Sequence, residues 1–432
     1  MVSALIVFLV SYLIIASERF PRQAIALLGA VALVLLNVFS IQEAFTFVDW
    51  ETIGLLFGMF ILIMILAEAG FFAWFAHQVV VKLHYRPTYT FIVLPLVAAA
   101  LAALMDSVTV MLFLSPLSLR IARMMKIDPA SLIAAEVCAA NTGGTATLIG
   151  NPPNVILGTM LNFNFNDFLV HTAPISVVAT VILVSTFYFF NRKMLRVAET
   201  QVDPDELASH DIDGLVTDRR TLILGLIGFL VAVLLMVSHK VLATWFGIAL
   251  SPATSALVPA LIVMMLGGDA TRAIMRKIDM ESLLFFIGLF IIIGALEKTQ
   301  FIAILANALF ALAKDNRAGL IGLLYWGSGF ASAVVDNIPM ALAMAYVARE
   351  MPGVAGTPFL GLVVWAVALG VGMGGNITPV GASPNVIAYS YLEHADTKIG
   401  WPRWIKMTVP PTIAAMLVAG MLLYLKYLIG WY

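Results

Sequence analysis

The chemistry-bearing residues of this chain stand inside apolar sequence. Asp106 lies in ALMDSVTVML and Asp336 in AVVDNIPMAL. An aspartate at membrane depth costs on the order of 3 kcal/mol even on translocon-based scales, so it usually marks an ion path or a proton relay. Ser107, Thr109 and Asn337 adjoin the two acids and can complete a coordination shell. The plainer alternative is that each Asp caps the helix arm that follows it. Capping and ion binding can coexist.

Two longer clusters offer neutral ligands. Asn141-Thr142-Gly143-Gly144-Thr145-Ala146-Thr147 is followed by Asn151-Pro152-Pro153-Asn154. Further along, Gly374, Gly375, Asn376, Thr378, Pro379, Ser383, Pro384 and Asn385 form a second such place. Tandem glycine lets the chain unwind, and proline removes an amide donor. Backbone that leaves the helix at membrane depth is tolerated only when buried in protein or facing a water-filled cavity. Helix N-termini facing such a break favour an anion or a polarised oxygen, and carbonyl ends favour a cation. The alternative is a pair of packing kinks with locally satisfied side chains. Two matched polar clusters argue against it.

Glu136 lies five residues before Asn141, and its counterpart in the second cluster is Val367. With Asp106 and Asp336 it is a candidate for proton coupling; a structural pairing with Arg120 or Arg123 is the competing expectation. Cys138 offers a soft ligand near the break, although free cysteines are commonly small buried residues. No metal site is expected: this lone cysteine excludes a cysteine-rich cluster and an internal disulfide framework. No cofactor is expected either. Gly370-Val371-Gly372-Met373-Gly374-Gly375 matches GxGxxG, but no strand precedes it. There is no Walker A sequence and no HExxH.

Composition dictates the elements that must hold these groups. The 432 residues are 62% hydrophobic and 11% charged, against about 25% charged in an ordinary soluble domain. A net charge of −1 gives no basic field for nucleic acid. The N-terminus is not expected to be a cleavable signal, because Arg19 and Arg22 follow its apolar stretch rather than precede it. A spanning helix needs about 20 apolar residues. Candidate spans are 3–17, 22–39, 50–68, 168–190, 221–239, 251–267, 280–296 and 405–428, with broken crossings at 131–160 and 360–392. The stretches 89–122 and 318–348 are apolar arms around Asp106 and Asp336, either re-entrant hairpins or pairs of spans, and we take them as hairpins. That gives ten crossings and places 18 of the 24 Lys and Arg on one face. The positive-inside rule makes this face cytoplasmic and both termini extracytoplasmic, in the plasma membrane.

The halves are related. Residues 48–72 and 278–302 share eight identities in 25 positions at an offset of 230, which also superposes Asp106 on Asp336. At 231, GGTATLIGNPPNVI lies over GGNITPVGASPNVI with eight identities in 14. Residues 1–190 and 221–432 are therefore two repeats, joined by a polar cytoplasmic linker at 191–220. Five crossings per half is an odd number, so the second copy must sit inverted. The expected fold is an all-α polytopic membrane protein with discontinuous helices in two inverted repeats. That architecture belongs to secondary transporters, not to enzymes.

LMDSVTVMLFLSPLSLRIARMMKIDPASLI followed by AEVCAANTGGTATLIGNPPNVILG resembles the arsenite permease, melanosomal P protein and NhaD-like branch of the ion transporter superfamily over nearly the whole chain. The resemblance implies a homodimer with elevator-like transport domains. It also implies a substrate site of hairpin tips and broken helices, which falls here on Asp106, Ser107, Asn141, Thr142, Asp336, Asn337, Thr378 and Asn385. The PPN motif is more similar to the P protein than to arsenite pumps, and the Ser-Asn-Thr tips of dicarboxylate symporters are missing. The expected function is proton-motive-force-driven efflux of arsenite or antimonite, with protons or sodium as the coupling ion. A sodium/proton antiporter or an inorganic or organic anion transporter is the alternative, and a soluble ATPase partner stays open. An intramembrane aspartyl protease using Asp106 and Asp336 would carry a GxGD context, which the sequence lacks.

Overall fold

The computed structural model describes residues 1–16, 19–202, 217–247, 250–313, 316–395 and 399–431. Those residues form helices and no strand. Lys314, Lys398 and residues 203–216 of the polar linker lie outside them.

The first half runs α1 (Val2–Ala16), α2 (Arg22–Leu35), α3 (Ile41–Thr46), α4 (Trp50–Glu68), α5 (Phe71–Lys82), α6 (Pro87–Leu104), α7 (Ser107–Met124), α8 (Pro129–Gly144), α9 (Pro152–Met160), α10 (Phe165–His171) and α11 (Ala173–Gln201). The second runs α12 (Arg219–Phe246), α13 (Pro252–Met275), α14 (Met280–Lys298), α15 (Phe301–Leu312), α16 (Arg317–Ser332), α17 (Asn337–Glu350), α18 (Phe359–Gly374), α19 (Ser383–His394) and α20 (Gly400–Ile429). Both sequence clusters interrupt helices: 145–151 separates α8 from α9, and a 3-10 turn at Gly375–Ile377 plus 378–382 separates α18 from α19. Among the described residues, eight helices are long and apolar enough to cross a membrane. This is a multi-pass membrane protein.

The element bounds repeat with the sequence. Helix α4 begins at Trp50 and α14 at Met280, α5 at Phe71 and α15 at Phe301, α8 at Pro129 and α18 at Phe359. Packing repeats across the halves as well: α2 lies along α14, and α13 along α4. Gly58 meets the Ala256 backbone, and its repeat partner Gly288 meets that of Ala26. A Cβ at either position would come within 3 Å of that backbone, so the helices approach closely because the residue is glycine. The halves therefore clasp each other.

Two expectations need correction, the start of the linker and the number of short helices. The span placed at 168–190 continues as helix to Gln201, so part of the stretch assigned to the linker is an extension of α11. The pattern missed α5 and α15, each 12 residues long and too short to read as spans. The arms of the first hairpin, Pro87–Leu104 and Ser107–Met124, are each long enough by themselves to be spans; those of the second, at 16 and 14 residues, are not.

Candidate functional site

Each hairpin tip is a helix start capped by its aspartate. Asp106 Oδ2 accepts from the Thr109 amide at 3.1 Å and from Thr109 Oγ1 at 3.3 Å. Asp336 Oδ1 accepts from the Ile338 amide at 3.1 Å. The capping alternative is thus met at both tips, and in each case one carboxylate oxygen is left for other work. Ser107 and Asn337, the first helical residues after the caps, are buried.

Each tip is tied to the break behind it. Thr147 Oγ1 donates to the Ala103 carbonyl, and Thr378 Oγ1 to that of Ala333. Hairpin arms and broken helices touch because both helices end in tandem glycine. A Cβ on Gly143 would overlap the Ala99 backbone, and one on Gly374 the Gly329 backbone. The long arms α6 and α16 therefore run along α8 and α18.

Inside each break an asparagine replaces the missing helical hydrogen bonds. Asn154 Nδ2 donates to the Gly144 and Thr147 carbonyls at 3.3 and 2.7 Å. Asn385 Nδ2 donates to those of Gly375 and Thr378, both at 2.8 Å. Exposed carbonyls at a helix end otherwise stand unsatisfied, and burying them so costs about 1–3 kcal/mol each. Asn151 caps α9 through the Asn154 amide at 2.9 Å.

The breaks also meet each other. Asn141 Nδ2 donates to Asn376 Oδ1 and to Asn385 Oδ1, both at 2.8 Å. Asn376 Nδ2 reaches back to the Cys138 carbonyl at 3.3 Å and to Thr142 Oγ1 at 3.4 Å. These bonds fix the amide orientations, because Asn385 and Asn376 use their nitrogens on carbonyl or hydroxyl oxygens. Asn141 Oδ1, Asn154 Oδ1, Asp106 Oδ1 and Glu136 Oε2 are buried and accept no hydrogen bond among the described residues. All four are acceptors.

Among the described residues, the second tip has a partner that the first does not. Arg22 Nη1 donates to Asp336 Oδ2 at 2.8 Å, and Ser383 Oγ donates to the same oxygen at 3.1 Å. Arg22 and Ser383 line a cavity of about 440 Å³ together with Asp279, Glu281 and Ser282. Sequence reading missed Arg22, which had registered only as a topology charge. Ser118 was missed as well.

Glu136 sits apart from this network. It is fully buried, and its Oε1 accepts from Ser118 Oγ at 2.7 Å. The expected pairing with Arg120 or Arg123 is not formed among the described residues; Arg123 instead donates to the Ala395 carbonyl. Cys138 contributes its backbone carbonyl to the site, accepting from Thr142 Oγ1 at 2.8 Å as well as from Asn376.

Broken helices joined across two repeats, buried acids and a cavity leading to one of them are the apparatus of a membrane transporter. Comparison with known proteins agrees. The citrate transporter family model matches residues 12–370, and the chain belongs to that family within the ion transporter superfamily. A 46 kDa membrane protein of Mycobacterium leprae is 34% identical over 99% of both chains. The human P protein is 28% identical over 97% of this chain and 59% of its own length. The fold is similar to the crystal structure of the Alcanivorax borkumensis YdaH transporter, with TM-score 0.57, 14% identity, and 88% and 86% of the two chains covered.

Proposed function

We propose that the protein is a secondary active transporter that exports arsenite or antimonite at the expense of the proton-motive force. The observation that carries this reading is a group of buried oxygens at the breaks and the first tip that accept no hydrogen bond among the described residues: Asn141 Oδ1, Asn154 Oδ1 and Asp106 Oδ1. An unmade hydrogen bond on a buried acceptor is costly, so the site suits a solute that brings its own O–H groups. A neutral trihydroxide does so, whereas a bare anion would add a further acceptor.

The transport cycle in this proposal is elevator-like. Each tip and its break, bonded through Thr147 and Thr378, move together past α2, α4, α13 and α14 within a plasma-membrane homodimer. The inverted arrangement is supported by the ion pairs. Lys277–Glu68, Arg403–Asp128, Lys298–Glu43, Arg349–Glu297 and Lys240–Asp167 each join residues that the charge-derived topology puts on one face.

Proton-driven arsenite uptake into everted membrane vesicles tests the proposal. Flux that collapses with an uncoupler and is absent in Asp106→Asn supports it; wild-type vesicles that move no arsenite reject it. A second reading, a sodium/proton antiporter or an anion transporter, is favoured by the ion pair at Asp336. The family's description names citrate. Yet the cavity presents Arg22 beside Asp279 and Glu281, a poor match for a multiply charged carboxylate.

A further inference from the structure

Among the described residues, Arg22 is the only lysine or arginine lining the 440 Å³ cavity, and two acids, Asp279 and Glu281, line it too. Such walls admit cations more readily than anions. The Arg22 guanidinium is bonded to Asp336 Oδ2 and lies 3.4 Å from Ser383 Oγ. It therefore covers a carboxylate oxygen and a hydroxyl oxygen, the hard ligands a small cation takes. The repeat supplies an internal control. Where the second half has Asp336, Ser383 and the crossing Arg22, the equivalent positions are Asp106, Pro152 and Pro252. There, Asp106 forms no ion pair among the described residues and keeps Oδ1 unpartnered. The same tip thus exists once with a cation built into the chain and once without.

We propose that Arg22 is a tethered counter-cation. It holds Asp336 until a coupling cation arriving through the cavity replaces it, so that Arg22 and the coupling cation exclude each other. In the sodium case, Na⁺ takes lone pairs of Asp336 Oδ2 and Ser383 Oγ. In the proton case, the proton ends on Oδ2 as O–H. In both, the guanidinium swings into the cavity. Among the described residues, the other ionisable groups lining the pockets around the pair are Tyr12, on α1, which shares a small pocket with Arg22 and Asp336, and Asp279 and Glu281 on α14. The inference rests on the transport reading only in that Asp336 takes part in ion coupling. It holds whichever solute is carried. Arg22 is accordingly a positioning residue for the coupling cation.

The test uses the full chain in lipid nanodiscs. Thermal unfolding is followed against sodium, with choline holding ionic strength, and separately against pH. A ligand that binds the folded state raises the melting temperature. Arg22→Gln is expected to lower the half-saturating concentration of sodium or of protons about tenfold. Arg22→Lys keeps it near wild type, and Asp336→Asn abolishes the dependence. Midpoints for both cations that stay within twofold of wild type in Arg22→Gln overturn the proposal.

A second measurement needs no variant. Phenylglyoxal labelling of wild-type Arg22, normalised to exposed Arg19 and read by mass spectrometry, is expected to accelerate when the coupling cation is added. An unchanged ratio with both cations overturns the proposal as well. A protein that carries no arsenite but shows this exchange rejects the substrate and keeps the counter-cation.

Discussion

The two breaks are built from one plan and finished differently. In both, an asparagine holds two carbonyls across the gap, a threonine ties the gap to the neighbouring hairpin arm, and a glycine lets that arm lie against the broken helix. These shared contacts satisfy or pack backbone, which any broken helix in an apolar surrounding requires. The differences lie in side chains that the backbone does not need. The second break carries Asn376, Ser383 and the Arg22–Asp336 pair; the first leaves Asp106 and Asn154 with unfilled acceptors. What is common is structural, and what differs is where function is to be sought.

The comparison predicts equal damage from breaking what is shared. Gly143→Ala and Gly374→Ala each push a methyl group into the backbone of the neighbouring arm. Each should cost about 3 kcal/mol by overpacking, seen as a lower melting temperature and lost folded yield in detergent. Markedly unequal losses would mean that the hairpins are not packed alike.

The asparagines come next. Asn154→Ala strands two carbonyls and should destabilise by about 2 kcal/mol. Asn385→Ala strands two and also removes one of the two acceptors of Asn141, so its cost should be larger. A double-mutant cycle sharpens this. Asn141→Ala with Asn385→Ala should show coupling of about 1 kcal/mol, because the two are bonded, and Asn141→Ala with Asn154→Ala close to none. Coupling of similar size in both cycles would erase the distinction between the breaks.

The acids are expected to separate stability from transport. Asn caps a helix about as well as Asp, so Asp106→Asn should keep the Thr109 cap and change stability by less than about 0.5 kcal/mol. Proton-coupled flux in vesicles should nevertheless be lost. Equal flux in wild type and variant would remove Asp106 from the coupling path.

Much of this was legible before the structure. Tandem glycine with PPN or SPN marks chain that must unwind, and the acid in each apolar hairpin marks a tip, so the elements and their repeat follow from local pattern. Contacts between the halves do not. Asn141 meets Asn376 and Asn385 only because α8 and α18 pack together, and no periodicity encodes that approach. Arg22 was hidden for another reason. At the start of a helix after a polar turn, an arginine satisfies the positive-inside rule and asks for no partner. A signal was present in the repeat itself, since a charge facing a proline at the equivalent position is an asymmetry without a topological purpose. Glu136 misled in the opposite direction: cations close in sequence suggested a salt bridge, but a serine one helix away lies nearer in space. Helices α5 and α15 escaped because a helix of 12 residues is too short to register as a span.

The smallest expected effect is the most discriminating for the tips. Thr147→Val and Thr378→Val each remove one hydroxyl that satisfies a carbonyl at the end of a hairpin arm. Each should cost about 1 kcal/mol globally, with little to choose between them. Locally they should differ. The second tip remains held by Arg22 and Ser383 on Asp336, whereas among the described residues the first has no such tether beyond its cap. Local opening is governed by the contacts that must break for that segment alone. Hydrogen exchange at residues 103–107 should therefore quicken about fivefold in Thr147→Val, while exchange at 333–337 in Thr378→Val changes much less. If Arg22→Gln is combined with Thr378→Val, the second tip should come to exchange as fast as the first. A tip that stays protected after both substitutions would show that something other than the ion pair distinguishes the two halves.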